Sequence, residues 1–229
     1  MRRCWILGLV VVTVGCHPQP AVAYKHLYQA CEARNLKEIQ AALAEGADIN
    51  APNPDPQIGL LPLEVVVDSP ELVQALLKAG AAPKKPDTRG YLPLGMAAAS
   101  GKPQSMEYLL KAGALLEGKD ADGRTAMAYA AASGKMENAK FLVNCGANLN
   151  QKDRLGYTPL FQLVTASTVS SIDRTEMARY LIEHGADITK RDAKGRTVAY
   201  YADTREARET GSGQELIEML NKPSTPPAK

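Results

Sequence analysis

The chain is short of the residues from which most active sites are made. Its 229 residues include three histidines, four cysteines and one tryptophan. His17, His26 and His184 lie far apart, and no HExxH or CxxC spacing is present, so a metal centre is not expected. The GxSxG nucleophile turn and the GxxxxGK[ST] phosphate loop are also missing. Gly-rich "TGSGQ" at 210 to 214 reads as a loop entering a helix. Two acid pairs remain, Asp120 with Asp122 and Asp187 with Asp192. Both are expected at loop tips in water, where a general acid's raised pKa is hard to sustain. Neither an enzyme nor a cofactor is expected. Aromatic residues make up only 5% of the chain while alanine is abundant, which favours close helix-on-helix packing over a core built around large rings. Charge of one sign is not in excess, with 27 basic and 25 acidic residues. No basic stripe appears along the sequence, which argues against binding a nucleic-acid backbone.

A membrane-spanning run is missing as well. The apolar stretch "WILGLVVVTV" is too short to cross a bilayer. It follows the cationic "MRR" and precedes the polar "CHPQP" and then "AVA", the order of a secretory leader. Two processing routes fit. Small residues at Ala21 and Ala23 suit cleavage after residue 23, leaving Tyr24 as the first residue. Alternatively "TVGC" resembles a bacterial lipobox with Cys16 as the lipid-bearing N-terminus, although Thr13 stands where that motif usually has Leu. Either route places the folded part in the bacterial periplasm, with membrane attachment only through a lipid on Cys16.

What the chain does have is repetition. Gly-Ala recurs at Gly46-Ala47, Gly80-Ala81, Gly113-Ala114, Gly146-Ala147 and Gly185-Ala186, in steps of 34, 33, 33 and 39 residues. A second glycine recurs at Gly90, Gly123, Gly156 and Gly195, ten residues after the last four pairs, with Gly59 as a delayed counterpart. Pro-Leu follows at Pro62-Leu63, Pro93-Leu94 and Pro159-Leu160. Proline is at home in a helix's first turn, so "PLGMAAAS" reads as a short inner helix. Gly101 and Gly134 are expected to end such helices in a left-handed turn. "QSMEYLLKAG" and "MENAKFLVNCG" read as outer helices with apolar residues three and four apart. The polar stretch between the two glycines reads as a hairpin-like finger. Neither helix buries its apolar face alone, whereas stacked neighbours do.

These residues resemble ankyrin repeats. "DRLGYTPL" at 153 to 160 matches the opening of that family's pattern, and "EGADIN" at 45 to 50 and "HGADI" at 184 to 188 match its close. The resemblance implies an all-α solenoid of stacked helix-turn-helix units with β-hairpin-like finger loops. An opening unit covers 25–58, and units follow at 59–89, 90–122, 123–155 and 156–194. A closing unit covers 195–220, and 221–229 form a disordered tail by composition. Gly95, Ala128 and Phe161 stand where the family often has His, so its His-based hydrogen bonding in the finger is expected to be absent. Cys31 and Cys145 fall three units apart, on the order of 30 Å at about 10 Å per helix layer. A disulfide needs Cα atoms within about 7 Å, so the two are expected to be unpaired, small and buried.

The family works by holding another protein on its concave face. There the residue after each finger glycine points outward, here Leu60, Tyr91, Arg124, Tyr157 and Arg196. With them Arg89, Asp122, Leu155 and Phe161 form the candidate partner-binding set, followed by Thr88, Asp120, Arg154, Lys194, Ser100 and Ser133. Tyr and Arg are enriched among interface hot spots; equally, they could stack on neighbouring fingers through cation–π contacts. The Pro-rich first finger "NAPNPDPQI" and the extra residues "TASTVSSID" at 165 to 173 are insertions of the kind that gather on binding faces. The resulting reading is a monomeric, non-enzymatic protein-binding module in the periplasm, an inhibitor or immunity protein against a toxin or hydrolase. The alternative is a scaffold or stress-protection factor for a periplasmic enzyme such as a catalase.

Overall fold

The computed structural model describes residues 20–53, 55, 57–206 and 214–221. The leader with Cys16, most of "TGSGQ" and the tail beyond residue 221 lie outside them. Among the described residues twelve helices follow in order: α1 Pro20–Glu32, α2 Leu36–Ala44, α3 Pro62–Val65, α4 Pro70–Lys78, α5 Pro93–Ser100 and α6 Pro103–Lys111. Then come α7 Ala126–Ala132, α8 Met136–Asn144, α9 Pro159–Thr165, α10 Ser171–Glu183, α11 Val198–Glu206 and α12 Gln214–Asn221. Among the described residues there is no strand, only an isolated bridge between Arg191 and Thr197. The fold is all-α.

Proline opens α3, α4, α5, α6 and α9, where a missing N–H costs nothing. The odd-numbered helices stack on one another, α3 to α5, α5 to α7, α7 to α9 and α9 to α11. The even-numbered helices cover them, α4 on α6 and α6 on α8. Alanine makes the inner layer thin: Ala97, Ala98, Ala130 and Ala131 are fully buried between neighbours. Larger residues fill the space between layers, among them Leu76, Met106, Leu109, Leu142 and Leu181.

Neighbouring units are also tied by asparagine side chains. Asn138 on α8 donates to the carbonyls of Ala97, Ala98 and Gly101 at 3.0–3.3 Å, satisfying the open end of the previous inner helix. Asn50 donates to Gly80 O at 3.0 Å and accepts from Ala82 N at 2.7 Å. Asn150 repeats this with Gly185 O and Asp187 N. The long loop before α10 is fixed rather than loose. Arg174, fully buried on α10, donates to the carbonyls of Ala166 and Val169. Val169 is buried in turn and lies where a Cβ on Gly134 would meet it at 3.0 Å.

Two sequence expectations are corrected. Gly134 is left-handed at φ +65°, but Gly101 is extended, with φ −79° and ψ −169°. It is glycine for want of room, since a Cβ there would lie 2.7 Å from Val67 O. Cys31 is buried, and burial pushes its thiol up to about 12, but Cys145 is exposed. It closes α8 on the solvent side. At the N-terminal end, α1 begins at Pro20, and Ala23 is fully buried in the core.

Candidate functional site

Each finger is a tight loop organised by one aspartate. Asp87, Asp120, Asp153 and Asp192 stand three residues before the finger glycine. In each case Oδ1 accepts the backbone N–H groups two and four residues on, at 2.8–2.9 Å. The Asp N–H donates to the carbonyl of the residue after the glycine, which closes the hairpin. Successive fingers are joined by their backbones. Thr88 N donates to Gly59 O, Ala121 N to Gly90 O, Arg154 N to Asp122 O and Ala193 N to Leu155 O, at 2.9–3.3 Å.

The second carboxylate oxygen shows how the fold manages without the expected histidines. Tyr129, Gln162 and Tyr201, each nine residues after its aspartate, donate to Oδ2 of Asp120, Asp153 and Asp192 at 2.5–2.6 Å. Arginines supply the rest. Arg89 grips Asp87, Arg124 grips Asp120 and Arg196 grips Asp192, at 2.8–3.0 Å. Asp120 and Asp192 are buried, as is Asp87, which corrects the expectation that those two acids face water; Asp122 is exposed as expected. Burial alone would raise the Asp120 and Asp192 carboxyl pKa values. The Tyr hydroxyl, the backbone amides and the guanidinium outweigh it and hold both below the usual carboxylate range. Ionised and fully engaged, they are structural anions, unsuited to acid catalysis.

Most of the candidate binding residues are engaged inside the molecule. Arg89 lies over the Tyr91 ring at 4.8 Å, and Arg124 lies between Tyr91 and Tyr129 at 5.5 and 4.9 Å. Arg196 covers Tyr201 at 4.6 Å. Tyr157 joins Tyr201 through their hydroxyls at 2.9 Å and stacks on Phe161 at 5.3 Å. Phe161 is 1% exposed. It fills the core between two tyrosines, so its assignment to a partner-binding face is corrected. Asp122 pairs with Arg124 at 2.8 Å.

What is left open is concentrated between the third and fourth fingers. A cleft of about 410 Å³ there is lined by Asp122, Arg124, Asp153, Arg154, Leu155, Tyr157 and Gln162. Leu155 is 61% exposed, among the most exposed large apolar residues described. Arg154 is exposed and its guanidinium pairs with no described residue. Finger four departs from its two neighbours here: Tyr157 stands where fingers three and five have the arginine that holds the aspartate, and Gln162 where they have the tyrosine.

The fold also sorts charge in a way the linear chain hides. Residues 84–91, 117–124, 150–157 and 189–196, the second to fifth fingers, carry eleven Lys and Arg against six Asp and Glu. Eight of the cations are exposed, but only two of the anions, Glu117 and Asp122. The other described residues hold eleven Lys and Arg against eighteen Asp and Glu. The signal was present as a cation at the same place in successive repeats, Lys119, Lys152 and Arg191, and is found only by stacking the repeats.

Among the described residues no group of His, Cys, Asp or Glu is placed to hold a metal ion. None of the described helices is long and apolar enough to cross a membrane. A family model for ankyrin repeats (3 copies) matches residues 63–153 and 114–192. No curated protein matches the sequence. Stacked helix pairs, hydrogen-bonded fingers and the family match agree: the chain belongs to the ankyrin repeat family.

Proposed function

We propose that this chain is a non-enzymatic protein-binding module that engages its partner through the finger edge, centred on the cleft between the third and fourth fingers. Ankyrin repeats are protein–protein interaction modules. The observation that carries the placement is Leu155, held out into solvent beside Arg154, whose guanidinium pairs with no described residue. An apolar anchor flanked by a polar rim is the usual make-up of a binding hot spot. Arg124, on one side of the cleft, is clamped on buried Asp120, so that wall is ordered before the partner arrives and loses little freedom on binding. Such a preformed surface suits an inhibitor or immunity protein that blocks a toxin or hydrolase.

The module acts outside the cytoplasm in this reading, tethered through Cys16. The leader-like N-terminus supports export. The buried Ala23 supports the lipobox route, because cleavage after residue 23 would remove the first turn of α1. Mass spectrometry of the mature protein should find an acylated Cys16 at the N-terminus; a chain starting at Tyr24 would overturn the tether.

Affinity capture from periplasmic extract tests the surface. Wild type should retain a partner that Leu155→Asp loses, with thermal melts little changed because most of the Leu155 side chain faces solvent. If Leu155→Asp retains the partner undiminished, the placement is wrong.

A further inference from the structure

We infer that the finger edge recognises an acidic protein surface. This rests on the reading that the fingers bind protein, and it specifies the partner's chemistry. The cationic edge is not a consequence of composition, since the described chain outside the fingers is strongly acidic. It arises because the finger aspartates turn inward, onto their own loops' amides and arginines, while the lysines between them turn out. Interfinger hydrogen bonds then bring cations some 33 residues apart in sequence onto one continuous edge. Lys85, Lys119, Arg154 and Lys194 each lie exposed on a different finger, and none of their side chains pairs with a described residue. Four uncommitted cations in a row beside an acidic body set up a potential that draws in an anionic partner and orients it.

The chemistry favours a protein over a phosphate backbone. Leu155 and the Tyr157 ring break the cationic row with apolar surface, which a phosphate chain has no use for. The guanidiniums best suited to bidentate phosphate contacts, Arg89, Arg124 and Arg196, already hold carboxylates. What remains free is chiefly lysine, whose compact charge suits scattered carboxylates.

Binding to poly-L-glutamate, measured by interferometry at low and at physiological salt, tests this. Duplex DNA and phosphatidylglycerol vesicles serve as competing probes. The variant Lys85→Glu, Lys119→Glu, Arg154→Glu, Lys194→Glu reverses the edge. A control of equal charge change, Lys25→Glu, Lys37→Glu, Lys102→Glu, Lys135→Glu, alters exposed lysines outside the fingers. The inference expects salt-sensitive binding of polyglutamate that the finger variant weakens by about tenfold or more and the control leaves within about twofold. No binding, equal loss in both variants, or tighter binding of DNA or vesicles would overturn it. If polyglutamate fails while Leu155→Asp still abolishes capture of the partner, the protein-binding reading stands and the acidic partner falls.

Discussion

At the scale of single residues, the carboxyl groups divide into those the fold satisfies and one it does not. Glu64, at the start of α3, is buried; its Oε2 accepts from Leu61 N at 2.8 Å, while Oε1 has no partner among the described residues. Burial pushes its pKa from 4.5 up to about 8; the Leu61 amide opposes this, nearby Asp87 adds to it and Arg89 again opposes. The folded state therefore binds a proton that the unfolded chain releases between these two values. Glu64's contribution is fully present below 4.5 and is lost as pH rises through about 8. Glu64→Gln should match wild type in acid and exceed it by about 1–3 kcal/mol in mildly alkaline solution. Urea unfolding across that range checks this, and a constant difference between the two proteins would refute it. The sequence sets Glu64 alone in the apolar run "LLPLEVVV", but it does not show which carboxylate oxygen goes unpaired. Phe161 misled: a position read from the family as facing the finger is, in this chain, a ring enclosed by Tyr157 and Tyr201.

At the scale of the element, the finger is the unit that the pattern placed well and described poorly. Its glycine and aspartate recur in register, so its location was readable. The bonds that close it were not, because they join an aspartate to a side chain nine residues away whose identity changes from Tyr to Gln to Tyr. The missing histidines looked like a loss. Gly95 instead leaves room for the Tyr129 ring, which a Cβ there would meet at 3.0 Å, and Tyr129 reaches Asp120. Tyr129→Phe keeps the ring under Arg124 and removes only the hydroxyl. It should cost about 1–2 kcal/mol near neutral pH. Asp120 has a lowered pKa in the fold, so its stabilising effect is present above the ordinary value of 3.8 and is lost as pH falls below it. Removing the hydroxyl lets that pKa drift back up, and the gap between Tyr129→Phe and wild type should narrow in acid. Thermal melts of both proteins near neutrality and in acid measure this, and a gap that stays constant or widens contradicts the assigned bond.

At the scale of the molecule, contacts run between neighbours: inner helices meet the next inner helix, and asparagine side chains reach one unit away. The periodicity was enough to foresee this arrangement. The charge segregation was not, because no window of the chain shows it; only stacking puts the exposed cations on one edge. Stability in such a row is close to a sum of unit and interface terms, so damage at one end should stay there. Leu27 is fully buried in α1, which packs on α2 and α3. Leu27→Ala should cost about 2–4 kcal/mol of local stability. In native-state hydrogen exchange the loss should appear in α1, α2 and α3, fade by α5 and be absent from the amides of α7 and α9. Those inner helices are held by each other and by α11, none of which touches α1 closely. A uniform rise in exchange from α1 to α11 would mean the units unfold as a single block, and the partition of the molecule into separately supported fingers, on which the cationic edge depends, would fail with it.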